Sequence, residues 1–187
     1  MHKFGKKIIL KKYLIQYQSF LVFLASFFGC YILLTVLYQF FLNSFEANKI
    51  DSITKFVGSN TDILLSWFTE SIRMEYLPNE AYVNVYFKNK GIVRIVEGCN
   101  GISVIILFIS FIVAFSGNIK NTLFFIFGGS LLIYVLNVLR IAILIILLYH
   151  FPEQNHLLHG VLFPAVIYGT VFALWVFWVN KFSKYAK

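Results

Sequence analysis

Four apolar runs separated by polar stretches organise the chain: Leu14 to Leu42, Ile102 to Ser116, Thr122 to Tyr149 and Val161 to Val179. About 20 residues of helix cross the hydrocarbon of a bilayer, so the first and third runs are ample and the fourth is sufficient. The second is short unless Asn100 and Gly101 are counted with it. Backbone groups in lipid must find their partners within the segment or in a closed barrel, and runs this continuous predict helices. The expected fold class is an all-α polytopic membrane protein. It reads as a single membrane domain, 1–187, with about four transmembrane helices at 14–42, 100–116, 122–149 and 161–179. Basic residues before an apolar run also suit a signal peptide. This run is about twice the usual signal length and lacks a small-residue cleavage site, so it is expected to stay as an anchor.

Between the first two spans, residues 43–98 form the one sizeable extramembrane segment. Phe56, Ile63, Leu64, Trp67, Phe68 and Ile72 are spaced as an amphipathic helix that would lie in the membrane interface. The period then changes to that of a strand. Tyr82 to Phe87 and Ile92 to Val96 are rich in β-branched and aromatic residues and flank Lys88-Asn89-Lys90-Gly91, which predicts a β-hairpin leading the chain to Cys99. An isolated hairpin is marginal, so it should pack on the helices or on a substrate strand.

Composition agrees with lipid as the solvent: 59% of residues are hydrophobic and only 13% charged, with a mean hydropathy of +0.78. The net charge of +8 invites a nucleic-acid reading, but the basic residues gather beside apolar runs near the chain ends and form no aromatic-interleaved patch. No nucleic-acid partner is expected. Lys3, Lys6, Lys7, Lys11 and Lys12 precede the first span, Lys120 lies in the turn between the second and third, and Lys181, Lys184 and Lys187 follow the fourth. The positive-inside rule makes these three regions cytoplasmic. All eight acids, from Glu46 to Glu153, fall on the other side, which leaves both termini inside and the 43–98 segment extracytoplasmic.

Three reactive side chains stand where apolar and polar sequence meet. Cys99 lies in Glu97-Gly98-Cys99-Asn100-Gly101, Arg140 inside the third run, and His159 in His156-Leu157-Leu158-His159-Gly160. An Arg at mid-span costs about 2.5 to 3.5 kcal/mol on insertion scales, so it is a functional hypothesis by default. Counted from Asn121 at 1.5 Å per residue, Arg140 stands roughly 28 Å up the third span, level with the outer end where Cys99, His156 and His159 fall. Asn100 or Ser103 can cap the second helix, whose dipole and free amides favour a thiolate and can donate to an oxyanion. Gly98 and Gly101 leave room for a peptide backbone beside the sulfur. Asn137 is one turn before Arg140 and shares its face. Arg140 can also pair with Glu97 or snorkel to the headgroups. His150, His156 and His159 do not make a convincing zinc set, so no metal and no cofactor is expected. Cys30, in mid-span, reads as an inert thiol, and Ala165, Gly169 and Ala173 as a small-residue stripe for close helix packing.

The run Glu97-Gly98-Cys99-Asn100-Gly101, then Asn137-Val138-Leu139-Arg140 in the next span, then His159 ahead of Phe163-Pro164-Ala165-Val166-Ile167-Tyr168-Gly169, resembles the exosortase/archaeosortase family, and most of all its XrtF type. The resemblance spans about Glu97 to Trp178. It implies a bacterial cytoplasmic-membrane cysteine protease and transpeptidase with its site on the outer face. The implied partner is a membrane-anchored protein substrate that carries a C-terminal hydrophobic sorting signal. Carried over by position, Cys99 would be the nucleophile, Arg140 would steady the thiolate or oxyanion, and His159, or His156 one turn earlier, would pass the proton to the leaving amine. Glu97, Asn100 and Asn137 would support them. A reading from another class is a non-catalytic membrane scaffold or anion-binding transport accessory using Arg140.

Overall fold

A computed structural model describes residues 16–46, 49–115 and 117–182. The lysines at 3, 6, 7, 11, 12, 184 and 187 lie outside the described residues. Helix α1, Gln18–Asn43, carries no buried residue, as expected of a span that presents apolar side chains to lipid on most of its circumference. Asp51 then starts α2, Ser52–Ser66: its Oδ1 accepts from the N–H groups of Ile53 and Thr54, both at 2.9 Å. Thr54, Val57, Gly58, Thr61 and Leu65 form the buried stripe of α2, while Phe56 and Ile63 are exposed. The helix is shorter than its apolar spacing suggested. It stops at Ser66, and Ile72 begins a strand instead of a last helical turn.

That strand extends the expected hairpin to a three-stranded sheet beside an otherwise mostly helical protein. β1 (Ile72–Tyr76), β2 (Tyr82–Phe87) and β3 (Lys90–Val96) pair antiparallel in chain order. The β2–β3 turn has Lys88 and Asn89 at φ 48° and 64°, the pair of left-handed residues a two-residue type I′ turn needs. Gly91 faces Tyr86 and Val93 faces Val85, which leaves Ile92 as an extra residue in a bulge. Val83, Val85 and Ile95 turn one face of the sheet into a core with Val57 and Leu65 of α2 and, further along the chain, Ile141 and Ile145. The sheet thus rests on a long helix, which answers its marginal stability in isolation.

After β3 come a 3₁₀ turn at Glu97–Cys99 and α3, Ile102–Ala114, followed by α4, Ile119–His150. The chain then passes through a 3₁₀ turn at Pro152–Gln154, a helical turn at Asn155–Leu157 and a π-helical turn at Leu158–Leu162 into α5, Phe163–Lys181. Among the described residues three helical segments are long and apolar enough to cross a membrane: Gln18–Asn43, Ile119–His150 and Pro152–Lys181. α3 has 13 residues, roughly 20 Å at 1.5 Å per residue, and falls short of the hydrocarbon thickness on its own. The polar bonds and left-handed glycine at residues 100–101 explain its late start.

α3 and α5 run antiparallel to α1 and α4. At one end Asn100 meets Tyr38 of α1 and the Cys99 carbonyl meets Asn137 of α4; at the other Phe115 meets Phe23 of α1, and Trp178 of α5 lies against Phe125 of α4. Phe108 lies where a Cβ on Gly129 would be, so the glycine permits α3 to approach α4 closely. The small-residue stripe expected on α5 does no such thing: Gly169 is exposed with no atom near its missing Cβ.

Candidate active site

Cys99 ends the 3₁₀ turn, half-buried and with a free thiol. Two asparagines hold it. Asn100 is buried, accepts from the Ile102 N–H through Oδ1 at 3.0 Å, and donates through Nδ2 to the hydroxyls of Tyr38 (2.7 Å) and Thr54 (3.1 Å). It therefore does the capping expected of it and also joins α1, α2 and α3 at one point. Asn137 donates through Nδ2 to the carbonyl of Cys99 at 2.8 Å. Gly101, at φ 83°, makes this possible, because a Cβ there would sit 3.2 Å from Cγ of Asn137. Two of the amides expected to receive an oxyanion are already engaged: that of Ile102 by Asn100, and that of Asn100 by the Glu97 carbonyl at 3.2 Å. Gly98 has no atom near its missing Cβ, so the approach to Cys99 from that side is open.

Arg140 follows Asn137 by one helical turn on α4. Its Nε is buried with no hydrogen-bond partner, and among the described residues no carboxylate comes within ion-pair distance of it. The expected alternative pairing with Glu97 is absent among those residues. Glu97 is exposed and lines a separate polar cavity beside Lys49 and Asp51. A guanidinium placed this way has donors free to receive an anion.

Cys99, Arg140 and His159 line one cavity of about 240 Å³, together with β3 residues 92–95, Ile141, Leu144 and Asn155. His156 is exposed and is not among its lining residues. The two histidines sit on different turns: His156 lies in the helical turn Asn155–Leu157, and in the π-helical turn that follows Leu158 packs against Leu144 and Leu148 while His159 falls beside Arg140. His150 is exposed at the end of α4 against Tyr149 and Phe151. Among the described residues no three His, Cys, Asp or Glu side chains cluster as metal ligands would.

Sequence reasoning passed over two lining residues. Arg94 sits inside a β-branched run, where a charge reads as the solvent face of a strand, and Asn155 reads as a loop residue. Only pairing and packing bring either to the cavity.

A mostly helical, multi-pass membrane protein with a thiol, a guanidinium and an imidazole around one cavity is the class that fold and site define. The family model for transmembrane exosortases (Exosortase_EpsH) matches residues 17–179, and the chain belongs to that family. No curated protein and no solved structure matches the chain. Membership points to a membrane transpeptidase-like role.

Proposed function

We propose that the protein is an XrtF-type exosortase: a cysteine protease and transpeptidase that cuts C-terminal sorting signals of exported proteins at the outer face of the bacterial cytoplasmic membrane. The observation that carries this reading is the shared cavity of Cys99, Arg140 and His159, which come from three separate elements. Both termini are cytoplasmic, the sheet is extracytoplasmic, and α3 completes a four-span bundle with residues 97–101 finishing its crossing. The acid-free termini and the basic α3–α4 turn support that orientation.

The thiol proton of Cys99 passes to His159, and the thiolate adds to the scissile carbonyl carbon. Arg140 balances the oxyanion from across the cavity, with the Asn100 and Ile102 amides already engaged. Collapse breaks the C–N bond, His159 returns its proton to the leaving amine, and a thioester on Cys99 remains. An acceptor nucleophile or water then attacks the thioester and restores the thiol. Asn137 positions Cys99 through its carbonyl.

The test is processing of an exported protein bearing an apolar, basic-ended tail, in membranes carrying the wild type, Cys99→Ala, Arg140→Ala or His159→Ala. Loss of a general acid or base lowers rates by about 100-fold or more, and loss of the nucleophile stops processing. A hydroxylamine-labile adduct should map to Cys99. Processing that survives in all three correctly inserted variants would leave the scaffold or anion-accessory reading and remove this one.

A further inference from the structure

The cavity that holds Cys99 has an unusual wall. Four consecutive residues, Ile92, Val93, Arg94 and Ile95, line it. Side chains alternate between the two faces of a strand, so four in a row around one cavity means that the backbone edge of β3 faces it. β3 is an end strand of the sheet and pairs with β2. Alternate residues of such a strand direct N–H and C=O groups away from the sheet. A second cavity of about 420 Å³ shares Ile92, Val93 and Arg94 but is also lined by Asn84, Val85 and Tyr86 of β2, so it lies over the paired strands and is separate from the free edge.

Resting on the cysteine-protease reading, we propose that β3 is the docking strand for the substrate: the segment before the scissile bond binds as an extended fourth strand along its free edge. Continuity with the cavity of Cys99 selects this occupant, because a chain paired to β3 is handed to the sulfur where β3 runs into the Glu97–Cys99 turn. Phe87, next to the hairpin turn, contacts Tyr149 near the end of α4, at 4.2 Å between ring centroids, whereas Cys99 lies deeper beside Asn137. A substrate whose tail enters the bundle therefore descends from hairpin to thiol, in the same direction as β3. Charge narrows the occupant further. The cavity walls carry the guanidiniums of Arg94 and Arg140 and no carboxylate, and Arg94 is held over the Tyr82 ring at 4.7 Å. The docked segment is neutral or acidic and carries no lysine or arginine.

The probe is the peptidyl chloromethyl ketone Ac-Thr-Val-Thr-Val-Ala-CH₂Cl, whose methylene carbon alkylates the Cys99 sulfur with loss of chloride, applied to the full chain in membranes with the site of labelling read by mass spectrometry. About two main-chain hydrogen bonds make it react roughly tenfold faster than Ac-Ala-CH₂Cl. N-methylation at one alternating set of its nitrogens should remove that advantage, and at the other set should leave it. Lys in place of Thr should slow labelling in the wild type and speed it in Arg94→Glu. Equal rates for long and short probes, or N-methyl effects without alternation, would overturn strand docking while leaving Cys99 chemistry intact. A fluorescent amide of the same peptide, bound to Cys99→Ala, reads the alternation without the thiol, so failure of the cysteine reading and of the docking reading are separable.

Discussion

The two ends of the α3–α4–α5 bundle are built from the same helices and differ in how much of the joint is apolar packing and how much is hydrogen bonding. At the Trp178 end, Phe108, Ile112, Ile133 and Val171 pack shut around a fully buried indole, with Trp175 stacked on Phe111 at 4.3 Å. At the Cys99 end Asn100 and Asn137 add directional hydrogen bonds to the apolar core beneath the sheet, and a cavity stays open beside them. Apolar packing fills space without regard to direction, so it closes an end of the bundle. Hydrogen bonds are directional, and in a low-dielectric surround they fix one backbone geometry while leaving room next to it. The reactive residues stand at the end where that second strategy operates.

Trp178→Ala should break the contrast most severely. It removes the largest buried side chain and its Nε1 bond to the Phe115 carbonyl at 3.1 Å, at about 3 to 5 kcal/mol, read as a lower melting temperature in detergent. Activity per folded molecule should stay near that of the wild type. Asn100→Ala comes next: it leaves the hydroxyls of Tyr38 and Thr54 without this donor and α3 without its cap, and should lower stability by about 1 to 3 kcal/mol. Here activity should fall as well, because the same bonds shape the turn that carries Cys99. Asn137→Ala should lower stability least, by about 1 kcal/mol, yet slow substrate-dependent turnover more than iodoacetamide labelling of Cys99. An equal fall in both rates would assign Asn137 to thiol exposure and not to positioning.

Much of this organisation is legible in the residues. α1, α4 and α5 follow from apolar length, and β2 and β3 from alternating β-branched residues around Lys88 and Asn89. β1 was not legible, because Ile72 continues the helical spacing of Phe68 and the strand exists by pairing with β2. Of the three reactive residues, Cys99 and Arg140 stood out because a thiol beside glycines and a charge in a span each need a reason. The separation of His159 from His156 had no local signal. It depends on how the turns between α4 and α5 pack against α4, where Leu158 is buried and His159 reaches the cavity.

Composition, run lengths and charge placement by themselves determined a multi-pass membrane protein with reactive residues at apolar seams, because the transfer of side chains and peptide groups into lipid depends on local sequence alone. The rest required tertiary structure. α1 and α4 are both apolar enough to span a membrane, yet none of the most apolar stretch of the first and 44% of that of the second is buried, since hydropathy records affinity for an apolar medium and is the same toward lipid as toward protein. Which asparagine holds the Cys99 carbonyl, which histidine reaches the cavity and which strand edge borders it depend on directional contacts between distant segments.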